Sequence, residues 1–171
     1  MTGLRLRQNL KLQDTDLESL SYQGFGVAMQ LLNHREDAMD VVQESLRKLV
    51  HGGQFNENLG THRSWFLRVV RNGSLDILRR RKPHDAEALA NQADNNKTPD
   101  VATERSELTG LLKRELNSMP QDQREIILLR DHQDLSYAEI ADVLAMPAVT
   151  VMSRLHRARN ELRNRMKKYL Q

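Results

Sequence analysis

Seven basic side chains crowd one C-terminal stretch: Arg154, Arg157, Arg159, Arg163, Arg165, Lys167 and Lys168 lie between residues 147 and 170, where Glu161 is the only acid. A second basic run lies upstream, Arg63, Arg68, Arg71, Arg79, Arg80, Arg81 and Lys82 against Asp76, with Trp65 and Phe66 inside it and Phe55 shortly before. Guanidinium and ammonium groups in such density neutralise phosphates, so the chemistry on offer is the binding of a polyanion. One basic helix by itself can be a solvated helix end favoured by the helix dipole. Two, separated by a polar stretch, suggest one extended polyanion touched at two places. The aromatic rings in the upstream run suit single-stranded nucleic acid, where bases stack on rings while guanidinium groups hold phosphates. The plainer alternative is that Trp65 and Phe66 are core residues.

Other chemistries find little support. The histidines, His34, His51, His62, His84, His132 and His156, include no pair at helical i, i+4 spacing and no HExxH arrangement, and no glycine-rich phosphate loop appears. No enzymatic activity, metal site or cofactor is expected. The absence of cysteine excludes disulfides, zinc ribbons and thiol nucleophiles, and makes a reducing cytoplasm the natural setting. A chain of 171 residues with 39% apolar content can form one ordinary domain or two small ones. With 29% charged residues but a net charge of only +3, electrostatic function must come from segregation of charge along the chain. No apolar run reaches membrane-spanning length, and the start "MTGLRLRQNLKLQDTD" lacks the apolar core of a signal peptide. A cytoplasmic protein without membrane insertion is expected.

The elements that must carry these residues read as helices throughout, an all-α fold. Thr15 and Glu18 resemble a capping box, and Leu17, Leu20, Phe25, Val27, Ala28, Leu31 and Leu32 recur at roughly helical spacing. In "EDAMDVVQESLRKLV" the apolar stripe is Ala38, Val41, Val42, Leu46 and Leu49, leaving Asp37, Asp40, Gln43 and Glu44 mostly off it. Glycines and asparagines then mark a loop over 51–60. Thr61 is a candidate N-cap for a third helix running to the basic cluster before Pro83. The stretch 83–105 has five acids against two bases and almost no large apolar residue, the composition of a flexible acidic linker. Helicity resumes near Ser106 with Leu108, Leu111, Leu112 and Leu116, and again after Pro120 with Ile126, Ile127 and Leu129.

Ser136 and Glu139 make a capping box for a short helix bearing Ile140, Ala141 and Leu144. The last helix stacks Val151, Leu155, Ala158 and Leu162 on one stripe, with Thr150, Ser153, Arg154 and Arg157 on the neighbouring face. A short helix crossing a second whose outer face is polar and basic is how a helix-turn-helix presents side chains to a major groove. A regulator acting on duplex DNA without further machinery would explain this half. It would leave the polar face of "EDAMDVVQES" and the aromatic-basic helix without a task.

Taken together, "HREDAMDVVQESLRKL", "SWFLRVVRNGSLDILRRRKP" and "MPQDQREIILLRDHQDLSYAEIADVLAMPAVTVMSRLHRARNELR" resemble, in this order and spacing, the bacterial sigma-70 family of RNA polymerase sigma factors, and within it the extracytoplasmic-function (ECF) group. The resemblance covers residues from about 17 to 168. It implies two small helical domains, a region 2 bundle over 1–82 and a region 4 helix-turn-helix over 106–171, joined by the linker 83–105. It implies a transcription initiation factor whose partners are core RNA polymerase and promoter DNA, duplex and melted, with an anti-sigma factor as a common further partner. By the same resemblance Asp40, Gln43 and Glu44 contact the polymerase, and Phe55, Asn56, Trp65, Arg68, Arg71 and Asn72 hold the opened minus-ten strand. Ser153, Arg154 and Arg157, with Thr150 beside them, read the minus-thirty-five duplex. The chain departs from the family pattern at Leu67, where an aromatic is common, at Gly73, where leucine is, at Ala145, where glycine is, and at Met152, where lysine is.

Overall fold

The computed structural model describes residues 14–51, 60–81 and 104–169, and every regular element among them is helical. The chain divides into two compact units. In the first, α1 (Asp14–Leu32), α2 (Arg35–Val50) and α3 (His62–Arg80) each pack on the other two. Their apolar stripes supply the core: Leu20, Val27, Ala28 and Leu32 from α1, Ala38, Val41, Val42 and Leu49 from α2, and Phe66, Leu67 and Val70 from α3. The spacing of these positions is that of one helical face turned inward. Leu46, which the pattern groups with the core stripe, is only half-buried. The capping box expected of Thr15 involves a side chain outside the described residues, as do Phe55, Asn56, most of the 51–60 loop and most of the 83–105 linker.

Helix starts in this unit are fixed locally. Thr61 caps α3 as expected: the Ser64 N–H donates to Thr61 Oγ1 at 3.1 Å, and the Thr61 N–H donates back to Ser64 Oγ at 3.1 Å. This reciprocal pair satisfies two donors that a helix start leaves without intrahelical partners. At α2 the cap is His34, extended at φ −139°, whose Nδ1 lies 3.4 Å from the Asp37 N–H. The Asp37 carboxylate also receives the Arg81 guanidinium, tying the start of α2 to the end of α3. Inside the bundle, buried Ser45 and Ser74 donate to the carbonyls one turn back, at 2.7 and 2.9 Å from Val41 and Val70, so neither hydroxyl costs an unmade hydrogen bond.

The second unit is built from α4 (Glu104–Ser118), α5 (Gln121–Ile127) with a π-helical continuation (Leu128–His132), the first part of α6 (Tyr137–Leu144), whose residues from Asp142 on group with the first unit, and α7 (Ala148–Met166), closed by a 3₁₀ turn (Lys167–Tyr169). Both α4 and α5 pack on α7. Ile126, Ile127, Leu129, Leu135, Ile140, Val143, Val151, Leu155 and Ala158 are buried. On α4 the outcome differs from the expected stripe. Leu108 and Leu112 stay 45% and 37% exposed, Leu111 and Leu116 are half-buried, and Glu115 is buried, as is Met119 just beyond the helix end. Glu115 is compensated, accepting from the Tyr169 hydroxyl at 2.7 Å and pairing with Lys168 Nζ at 3.1 Å. The π segment was not legible in the pattern; at its end the Gln133 N–H reaches back to Leu128 O at 2.9 Å.

The helix-turn-helix is set by two devices. Ser136 and Glu139 form the expected capping box, with Glu139 Oε2 accepting from the Ser136 N–H at 2.9 Å and Ser136 Oγ accepting from the Glu139 N–H at 3.2 Å. At the other end of α6, Ala145 turns left-handed at φ 52°, and the Met146 N–H bonds Ala141 O at 3.0 Å. That is a Schellman closure, which favours glycine at the left-handed position. Here alanine adopts it, and α7 starts directly after Pro147.

Candidate nucleic-acid interface

The outer face of α7 is built by what its inner face buries. Val151, Leu155 and Ala158 are buried against the unit's core, which turns Ser153, Arg154 and Arg157 outward, all three exposed, while Thr150 is half-buried beside them. Ser153 Oγ donates to Thr150 O at 3.1 Å, and Arg157 Nε donates to Ser153 O at 3.4 Å. The four residues grouped from the sequence therefore share one surface. His156 and Asn160, which the resemblance leaves without a role, continue that surface one and two turns further along, with Asn160 Nδ2 and His156 Nε2 3.0 Å apart. Their helical spacing from Ser153 and Val149 was the signal that could have found them.

The basic run is not uniformly available. Arg159 grips Asp131 through two nitrogens, and this carboxylate raises the guanidinium pKa above its ordinary value. Arg165 Nε pairs with Glu161 at 2.8 Å and Lys168 with Glu115 at 3.1 Å. Arg163 donates to Asn160 Oδ1 at 2.8 Å. Among the described residues, Arg154 and Arg157 make no ion pair. Three of the seven bases thus hold carboxylates, and of the remaining four Arg154 and Arg157 lie in the earlier part of α7, the part of a recognition helix that meets base edges.

In the first unit, Phe66 is wholly buried and Trp65 only half-buried. Leu67 is also fully buried, so it belongs to the core and not to any stacking surface. Arg68 and Arg71 are half-buried and Asn72 is exposed, and Trp65, Arg68 and Asn72 follow i, i+3, i+7 along one side of α3. Phe55 and Asn56 fall outside the described residues.

The α2 trio is exposed on a common outer surface but serves two grooves. Asp40 and Glu44 border the groove between α2 and α3, with Asn72 and Asp76 opposite; Gln43 borders the one between α1 and α2, with Tyr22, Phe25 and Met39. Glu44 pairs with Arg47 at 2.7 Å. Gly73 explains how α2 and α3 come so close, since a Cβ there would sit 3.2 Å from Val41 Cγ1.

Residues 23–84 match the family model for Sigma-70 region 2, and residues 109–162 match that for Sigma-70, region 4. The chain is 34% identical over 149 residues to the ECF RNA polymerase sigma factor SigE of Mycolicibacterium smegmatis, across 85% of this chain and 58% of that one. It is 30% identical over 143 residues to the ECF RNA polymerase sigma-E factor of Haemophilus influenzae, across 77% of this chain and 76% of that protein. Among solved structures, the sigma factor RpoE in complex with the anti-sigma factor NepR from Bartonella quintana is similar in fold, with a TM-score of 0.63 at 22% identity over 90% of this chain and 95% of that chain. CnrH in complex with the cytosolic domain of CnrY gives a TM-score of 0.59 at 22% identity, over 93% and 92% of the two chains. With both family regions matched in order and a relative at this identity along most of its own length, the chain belongs to the sigma-70 family, as a DNA-binding transcription initiation factor of the ECF group that works with RNA polymerase.

Proposed function

We propose that this sigma factor divides initiation between its two helical domains, residues 1–82 and 106–171, joined by residues 83–105. The first binds core RNA polymerase through Asp40, Gln43 and Glu44 and captures the melted minus-ten strand with Phe55, Asn56, Trp65, Arg68, Arg71 and Asn72. The second reads the minus-thirty-five duplex with Thr150, Ser153, Arg154 and Arg157. The observation that carries this reading is the outer face of α7: Arg154 and Arg157 are exposed without an acidic partner among the described residues, while Arg159, Arg165 and Lys168 are committed to pairs. Unpaired arginines on a helix facing the major groove are the groups that read guanine edges. Because its polymerase is cytoplasmic, so is the factor, and no helix among the described residues is long and apolar enough to cross a membrane. The solved relatives sit in complexes with an anti-sigma factor or with a cytosolic domain, which supports an anti-sigma protein as a further partner.

Run-off transcription of genomic fragments with core polymerase plus this protein tests the reading. Discrete start sites preceded by a shared pair of elements are expected. A regulator acting without polymerase would instead protect a duplex site alone and give no new start sites.

A further inference from the structure

Two apolar side chains stand in the water on the same side of α7. Val149 is 72% exposed and Met152 54% exposed, three residues apart on its first turns, while Val151 between them is fully buried. The fold makes no use of either side chain, and a valine so exposed near a helix start gains nothing from propensity. Their surroundings say what kind of surface could cover them. From Pro147 to Asn160 the chain has no acidic residue; Ser153 lies one turn on from Val149 and His156 one turn on from Met152, with Thr150, Arg154 and Arg157 further round the same outer surface. An apolar spot framed by cations and hydroxyls is complementary to a surface that is anionic overall and carries isolated apolar points.

We infer that Val149 and Met152 read the C5-methyl groups of thymines in the major groove, giving the minus-thirty-five element a thymine preference beside the positions read by Arg154 and Arg157. This rests on the proposed reading of α7 as the duplex reader. The thymine methyl is the apolar feature of the groove edge, present on A·T pairs and absent from G·C pairs. The two side chains suit it differently. Val149, β-branched and held near one rotamer in a helix, offers a fixed methyl pair at the end of α7 that enters the groove first. Met152, unbranched and polarizable, can adjust to a methyl on a neighbouring step. Arginines alone would select guanines and leave flanking A·T pairs undiscriminated in orientation; a methyl contact tells T·A from A·T.

The test uses holoenzyme reconstituted from core polymerase and the full chain, on a duplex promoter defined by the run-off mapping. Thymines of the minus-thirty-five element are replaced one at a time by deoxyuridine, which removes the C5-methyl and no hydrogen-bonding group. Burial of one methyl corresponds to about a threefold to fivefold change in affinity, so wild-type holoenzyme should bind at least one uracil duplex weaker by that factor. In Val149→Ala or Met152→Ala the thymine and uracil duplexes should bind alike at the affected position. Both side chains are exposed, so the unfolding midpoints of these variants should match wild type. An element without thymines, no loss on uracil replacement, or a loss that persists unchanged in the double variant overturns the inference while leaving the duplex-reading role intact. If base-pair changes throughout the element and Arg154→Ala both leave binding unchanged, the reading of α7 itself fails, and this inference with it.

Discussion

The guanidinium of Arg159 spans to the carboxylate of Asp131 through two donors, fastening the middle of α7 to the end of the π-helical segment. Arg154, just over one turn earlier, has no such acid. The two arginines are alike in sequence and should be unlike in effect. Arg159→Ala is expected to lower stability by about 1 kcal/mol or less, since both partners are near half-exposed and solvent screens the pair, and to leave base preference unchanged. Arg154→Ala should leave stability within about 0.5 kcal/mol while removing about 1–3 kcal/mol of discrimination at one base pair. Thermal unfolding, together with competition binding of holoenzyme across single-base variants of the minus-thirty-five element, checks both. Equal weakening on every sequence by Arg154→Ala would make it a phosphate contact.

Ala145 sits at φ 52° in the turn between α6 and α7, a conformation that costs an L-residue about 1–2 kcal/mol and glycine almost nothing. Glycine also adds freedom to the unfolded chain, which offsets about 0.4–1 kcal/mol of the gain. Ala145→Gly should therefore stabilise the protein by up to about 1 kcal/mol. A higher urea midpoint with an unchanged m-value is the expected sign. A lower midpoint would show that the turn relaxes out of the left-handed region in solution.

The features that could be seen in the sequence are those whose cause is local. The Thr61 cap and the Ser136–Glu139 box need only residues three apart, and the turn at Ala145 follows from a short apolar helix meeting Pro147. The split of the basic run into structural and available charges was hidden because the partners are distant: Asp131 lies 28 residues before Arg159, and Ser118 lies 47 before Arg165. The half-buried stripe of α4 misled for the same reason, since burial depends on which neighbours arrive. Leu108 and Leu112 have the right spacing, but the buried place went to Glu115, which Tyr169 and Lys168 satisfy. Gly24 was likewise silent, because nothing near it in the chain announces an aromatic ring lying against its Cα.

A Cβ added at Gly24 would lie 2.8 Å from Phe66 Cε1 and 3.3 Å from Val70 Cγ2. Phe66 and Val70 are both fully buried, so neither can swing into solvent to make room. Gly24→Ala gains about 1 kcal/mol of helix propensity, but overpacking a filled core costs about 1–3 kcal/mol. A net loss of stability confined to the first unit is expected, read as reduced hydrogen-exchange protection of α1 and α3 with α7 unchanged. Increased stability would mean that α1 and α3 separate easily.

The clip at the chain's end should be pH-sensitive in a definite direction. Glu115 is held below its ordinary pKa of 4.5, chiefly by the Tyr169 hydroxyl and then by Lys168, and Lys168 is held above its ordinary 10.5, chiefly by Glu115. A depressed carboxylate contributes stability that is present above its unfolded pKa and lost as pH falls through the folded one. A raised ammonium contributes below its unfolded pKa and loses it as pH rises through the folded one. The clip's contribution is thus present between the two ordinary values and is lost progressively as pH falls below 4.5 or rises above 10.5. Glu115→Gln keeps an acceptor for Tyr169 but removes the charge, so it should flatten the acid limb of the stability profile. An acid limb identical to wild type would assign that limb to other carboxylates.

Trp65 presents the sharpest choice between structure and function. It is half-buried, next to a wholly buried Phe66, on the side of α3 that carries Arg68 and Asn72. If it meets an opened strand, base stacking worth about 1–3 kcal/mol is available only once a base has left its pair. Trp65→Ala holoenzyme should then form closed complexes on duplex promoter normally and open them poorly, and a promoter with a pre-formed minus-ten bubble should recover much of the loss. Permanganate reactivity of thymines in the bubble reads opening, and thermal unfolding of the free protein reads the fold. Loss of stability and of polymerase binding together would make Trp65 a core residue and sink its capture role. Asn72, exposed on the same side, keeps the surface testable in that case: Asn72→Ala cannot unfold the bundle through lost packing, so an opening defect in it would still place this side of α3 against the melted strand.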